Sequence, residues 1–171
     1  MDGEFELLTG RLRLRPLAPG DIDPLFAVLG DPETMRWYPA PFDRAGVQEW
    51  ILRWTASYRT NGFGLLAVEE RATGELLGDC GPTVQVVDSQ SHVELGWHVR
   101  RDRWGEGIAT GAGAACRDWC FGELGLDHVI SLIRPENRQS WRVAEKLGMT
   151  VWKETDHAGL RHRVYRLDAG G

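Results

Sequence analysis

The stretch RDRWGEGIATGAG, residues 101–113, sets Gly105, Gly107, Gly111 and Gly113 among other small side chains. Glycine gives up more conformational freedom on folding than any other residue, roughly 0.5–1 kcal/mol relative to alanine inside a helix. Such a cluster therefore marks a special backbone angle or a very close neighbour. The stretch follows an extended, apolar segment, and Ile108, Ala112, Ala115, Cys116, Trp119 and Cys120 then recur at helical spacing. A strand that feeds a glycine loop opening a helix brings unsatisfied N–H groups together at the positive end of the helix dipole, where an anion binds. Arg100, Arg101 and Arg103 stand beside the glycines, with Arg134, Arg138, Arg142 and Lys146 further on. These local basic patches suggest a small anionic ligand, a solvated face being the blander explanation. Two common phosphate loops do not fit. A Walker loop needs Lys followed by Ser or Thr after its second glycine, and a dinucleotide loop needs G-x-G-x-x-G after the first strand of a βαβ unit.

The segments before the loop read as a strand, two helices and a meander. RLRLRPL, from Arg11 to Leu17, alternates with period two and stops at Pro16. Asp21 is placed to cap a short helix carrying Leu25, Phe26, Val28 and Leu29, closed by Gly30. Val47, Trp50, Ile51, Trp54 and Tyr58 predict a longer helix ended by Asn61-Gly62. FGLLAVEE, LLGDCGPTVQVV and SHVELGWHVR read as three antiparallel strands. After the glycine helix come a strand in DHVISLI, a helix in NRQSWRVAEKLG and closing strands in TVWKE and RHRVYRL. The order predicts one α+β domain over residues 1–171, with a mixed, mostly antiparallel central sheet flanked by helices.

Composition narrows the function classes. The 171 residues are 42% hydrophobic and 26% charged, which suits an ordinary globular domain. Cys80, Cys116 and Cys120 show neither an even count nor C-x-x-C spacing, and the five histidines show no ligand spacing. No metal site is proposed, and a reducing cytoplasm is the expected compartment. An acidic start without a signal core, and no apolar run near 18 residues, point away from export and from the membrane. A net charge of −5 disfavours nucleic acid as a direct partner. A monomer or a homodimer is expected.

LGWHVRRDRWGEGIAT resembles the acetyl-coenzyme A signature of the GNAT superfamily of N-acetyltransferases, whose core is Q/R-x-x-G-x-G/A. Gly107 and Ala109 match its last two fixed positions, and Trp104 stands where the family has Gln or Arg. WGEGIAT is similar to the W-G-x-G-x-A-T form of the branch containing the Rim-type ribosomal-protein N-terminal acetyltransferases. TGRLRLRPL, DPETMRWYPAP and RPENRQSWRVAEKLGM agree with that branch, in the same order. Gly111 departs from the glutamate common there. The resemblance implies acetyl-CoA as acetyl donor substrate and an amine as acceptor, with no metal and no covalent enzyme intermediate.

The same resemblance implies roles residue by residue. Main-chain groups of Trp97, His98 and Val99 pair with the pantetheine arm, and amides of Trp104, Gly105, Glu106, Gly107, Ile108, Ala109 and Thr110 hold the pyrophosphate. Period two puts His92, Glu94, Gly96 and His98 on one strand face and Val93, Leu95, Trp97 and Val99 on the other. Glu94 is implied as general base acting through water, or else as a residue that orders the strand. His98 shares its face, as an alternative base or a packing residue. Asn137 is implied to bind the cofactor arm and Ser140 to act as general acid near the sulfur. The spacing of these two also suits a helix cap and its N3 partner. Trp37 and Tyr38 lie where the branch builds one wall of the acceptor cleft. A peptide or protein N-terminus is the favoured acceptor, with a polyamine or aminoglycoside, or a non-catalytic acyl-CoA sensor, as alternatives.

Overall fold

A computed structural model describes residues 5–170; the two ends of the expected domain, residues 1–4 and 171, lie outside the described residues. β1 (Leu7–Leu8) and β2 (Leu12–Pro16) lead through α1 (Ile22–Leu29) and α2 (Arg44–Thr60) to the meander β3 (Leu66–Glu70), β4 (Leu76–Val87) and β5 (Gln90–Val99). α3 (Ile108–Gly122), β6 (His128–Ile133), α4 (Arg138–Lys146), β7 (Thr150–His157) and β8 (Leu160–Asp168) follow. The eight strands form one sheet in the order β1-β2-β3-β4-β5-β6-β8-β7. Every neighbouring pair is antiparallel except β5 and β6, which run parallel and share a single register pair, Glu94 with Ile130. Past that point their main chains part. Ser131 Oγ donates to the Leu95 carbonyl at 2.7 Å, and the Leu132 amide donates to Glu94 Oε1 at 3.0 Å.

The helices take opposite faces, as the strand alternation requires. Cys80, opposite Trp97 in the register of β4 and β5, meets Cys116 of α3. Asp79, opposite His98, accepts a hydrogen bond from Trp50 of α2. α3 and α4 approach so closely at Gly113 that a Cβ there would sit 2.8 Å from Leu147 Cδ1. One core of leucine, valine and alanine side chains joins both halves of the sheet, with Leu14, Leu66, Leu77, Ala112 and Val129 fully buried. Burying each of the leucine and valine side chains stabilises the fold by about 1.5–3 kcal/mol.

The elements expected from the sequence are present, and the differences have physical causes. Phe63–Leu65 stays outside β3 because Ser57 Oγ and the Tyr58 hydroxyl of α2 donate to the carbonyls of Phe63 and Leu65. Asp21 stands at the start of α1 without capping it, since its carboxylate accepts the Ala18 amide and both terminal nitrogens of Arg15. The two-residue β1 lacks a readable alternation. Asp43 and Asn137 do cap their helices, accepting from the Gly46 and Ser140 amides at 2.7 and 3.2 Å.

Candidate active site

Two cavities open where β5 and β6 separate. The first, about 360 Å³, lies between the glycine loop and α4. Gly105 and Gly107 have φ of +80° and +77°, a region that side chains rarely adopt, and a Cβ on either would meet nothing within 4 Å. The loop therefore presents bare main chain to open space. Gly107 precedes α3, so the amides of Ile108, Ala109 and Thr110 have no acceptor in the preceding turn, at the positive end of a fifteen-residue helix. These features fit a diphosphate. Trp104 Nε1 donates to the Val99 carbonyl at 2.7 Å, which pins the loop to the strand from the position where the motif has Gln or Arg.

The loop residues divide. Trp104, Gly105, Gly107, Ile108, Ala109 and Thr110 line this cavity, as do Trp97, His98, Val99 and Asn137, whereas Glu106 does not. The Glu106 carboxylate instead accepts from Arg11 and Arg103. Arg100 donates its amide to Leu77 of β4, so alternation turns the His98 main chain toward β4 and the Trp97 and Val99 main chain toward the parted edge, where the Val99 carbonyl already accepts from Trp104. His98 enters the site by its ring.

The basic patch beside the glycines is internally matched. Arg100 pairs with Glu75 at 2.7 Å, Arg101 with Asp31 at 3.3 Å, and Arg103 with Glu70, Glu75 and Glu106. Among the described residues, Arg142 and Lys146 of α4 line the cavity with no carboxylate in ion-pair range. The cationic wall is thus supplied by α4, which the sequence marked only as one part of a dispersed charge run.

The second cavity, about 340 Å³, lies on the α2 side of the same gap. Glu94 reaches into it from β5, beside Thr83, Gln85 and Gly96. Burial pushes its carboxyl up to about 6, against hydrogen bonds from Leu132, Gln85 and Thr83 that favour the ionised form. A carboxylate so tuned is ionised at neutral pH yet far more basic than an exposed one. Trp50 and Trp54 supply apolar wall.

Trp37, Tyr38, Trp97, His98, Asn137 and Ser140 line both cavities, so these six stand at the junction. Both ring nitrogens of His98 are engaged, Nδ1 with Asp79 at 2.7 Å and Nε2 with the Tyr38 hydroxyl at 2.8 Å. Sequence reading supplied His98 and Tyr38 but neither Asp79 nor their connection. The alternation of β4 was the only available signal for Asp79, and it cannot say that His98 lies opposite.

Residues 11–150 match the family model described as an acetyltransferase (GNAT) domain. The chain is 37% identical over 150 residues to the uncharacterized protein YkkB of Bacillus subtilis, with 87% of each chain covered. Its fold superposes on an acetyltransferase from Agrobacterium tumefaciens with a TM-score of 0.83 and 30% identity, over 98% and 96% of the two chains. It superposes on Mycobacterium smegmatis RimJ, solved in complex with CoA-disulfide, with a TM-score of 0.70 and 22% identity, over 92% and 82%.

Proposed function

The chain belongs to the GNAT acetyltransferase family, and we propose from that premise that it moves an acetyl group from acetyl-CoA directly to a primary amine, favouring a peptide or protein N-terminus. One observation carries this reading: two cavities meet at the parted strands, one walled by bare amides and unpaired cations, the other by a carboxyl raised to about 6. The loop amides and Thr110 would hold the pyrophosphate, with Arg142 and Lys146 adding charge. The open edge at Trp97 and Val99, together with Asn137, would take the pantetheine arm. Acetyl-CoA supplies the thioester at the junction. Glu94 would accept the ammonium proton through water, and Ser140 stands beside the junction as a donor toward the departing sulfur.

Amine basicity supports the choice of acceptor. An α-amino group titrates near about 7.7–8.0 and a polyamine amine near about 10.4, so freeing the base at pH 7 costs roughly 1 kcal/mol for the first and roughly 4–5 for the second. A carboxylate at about 6 suits the first.

Two measurements test this. At a hundred times its dissociation constant, acetyl-CoA should stabilise the fold by about 2.7 kcal/mol, a melting shift of roughly 5–10 °C. Thiol release should be faster with short peptides bearing free N-termini than with spermidine, levelling off above about pH 8 as the α-amine finishes titrating. No melting shift at millimolar acetyl-CoA overturns the donor assignment. Turnover of spermidine with peptides untouched overturns the acceptor choice alone.

A further inference from the structure

Asp79 is fully buried and, among the described residues, has no Lys or Arg in ion-pair range. Its two oxygens are satisfied separately, Oδ1 by His98 Nδ1 at 2.7 Å and Oδ2 by Trp50 Nε1 at 2.8 Å. A carboxylate in the interior is tolerated only with such donors. His98, 8% exposed, lies directly across the strand pair from it. The chain of bonds then leaves the core, because His98 Nε2 meets the hydroxyl of Tyr38, which lines both cavities. Tyr38 is 45% exposed.

An ionised Asp79 only accepts, so in the neutral tautomer that donates Nδ1–H to it, Nε2 is left to accept from Tyr38 O–H. We infer that Asp79, His98 and Tyr38 form a relay that carries a proton from the acceptor nitrogen to the thioester sulfur during acetyl transfer, an assignment that rests on the acetyltransferase reading above. Glu94 first removes the ammonium proton. The free amine then forms the C–N bond, and the carbonyl π pair moves onto oxygen. Nitrogen next gives its surplus proton to Tyr38 Oη as the Tyr38 proton passes to His98 Nε2, and the imidazolium is held by Asp79. When the oxygen pair returns, the C–S bond breaks and sulfur leaves with its electrons. It takes a proton from Tyr38, which recovers its own from Nε2. One proton has moved from nitrogen to sulfur, and the relay is restored without any exchange with solvent.

Crowding by the protein around the cleft, then the charges of Glu94 and Asp79, hold the Tyr38 phenol above its ordinary value. It therefore passes a proton on and does not persist as a phenolate. Ser140 becomes a hydrogen-bond donor to sulfur, and the proton itself comes through Tyr38. His98 and Asp79 are positioning residues that act through the phenol.

The test uses thiol release by the full chain with saturating acetyl-CoA and the fastest acceptor from short peptides and spermidine. Tyr38→Phe should lower kcat by about 10–100-fold and leave KM for acetyl-CoA within about threefold. His98→Gln should do the same, and the double variant should be no slower than the slower single variant, since the residues act as one unit. The melting shift with acetyl-CoA reports that each variant is folded and binds. Independently of turnover, nitrogen NMR of His98 should show Nδ1 protonated and Nε2 as acceptor, with Nε2 losing its hydrogen bond in Tyr38→Phe. A Tyr38→Phe enzyme retaining more than half of kcat, losses that multiply in the double variant, or a His98 protonated on Nε2 alone would overturn the relay with the acetyltransferase reading intact. A wild-type protein that releases no thiol with any amine overturns both.

Discussion

The two cavities are built by different means. The donor side is made mostly of main chain: two glycines at positive φ, three amides at a helix start and the free edge of one strand. The acceptor side is made of side chains drawn from α2, β4, β5, β6, the α1–α2 loop and the β7–β8 hairpin, several of them buried and polar. Main chain binds any ligand of the right charge and cannot be titrated. Side chains can be tuned, and each tuned group needs partners that are themselves buried. Substitutions on the donor side should therefore alter binding, and those on the acceptor side should alter rate.

The sharpest separation is expected from Glu94→Gln. It should lower the rate by about 10²–10⁴ and leave the acetyl-CoA melting shift unchanged. An unchanged rate, measured by thiol release, returns Glu94 to a structural role. Gly107→Ala should do the reverse. Holding alanine in the left-handed region costs about 1–2 kcal/mol, and displacing the ligand from one charge-assisted hydrogen bond, worth about 1.5–3 kcal/mol, should weaken acetyl-CoA about ten- to hundredfold by titration. The methyl group would enter open space, so the protein should remain folded.

Acidity gives a further division. The Glu94 carboxyl is raised from 4.5 to about 6, so kcat/KM for the amine should fall below an inflection near pH 6, and the limb should vanish in Glu94→Gln. The folded state binds this proton more tightly than the unfolded chain, so stability is lost as pH rises from 4.5 to about 6. At pH 7 the neutral glutamine variant should be more stable by about 2 kcal/mol, read as a higher melting temperature. A glutamine variant that melts no higher would mean that the carboxyl is not burdened by burial. The smallest effect is expected at Ser140→Ala, a loss below about tenfold, because Ser140 gives the sulfur one hydrogen bond while the proton comes through Tyr38. A loss exceeding that of Glu94→Gln would mean that these roles are misassigned.

The same division explains what could be read in the sequence. Main-chain sites are written in consecutive residues, since special angles need glycine where they occur, and so the candidate loop at residues 104–110 is legible in one stretch, although Glu106 turns away from the cavity to Arg11 and Arg103. Glu94 was legible from the period of one strand. The relay was not, because Asp79 and Tyr38 stand 19 and 60 residues from His98, and only the strand register and the loop path join them. Counting arginines near the loop misled for a related reason: Glu70 and Glu75, which neutralise Arg103, come from β3 and the β3–β4 turn. Asp21 looked like a cap for α1 because its place in the chain was right and its partner, Arg15, lay on another element.

The amide of Leu132 points across the gap to where a continuous sheet would offer a carbonyl, and it finds the Glu94 carboxylate. The proposed base thus also mends a break in the sheet. An alanine at position 94 would strand a donor as well as remove a base, so its damage would overstate the chemistry, whereas glutamine still offers an oxygen. Two demands held by one side chain restrict its replacement more than either would alone. A lineage that abandoned acetyl transfer would still have reason to keep an oxygen at this position.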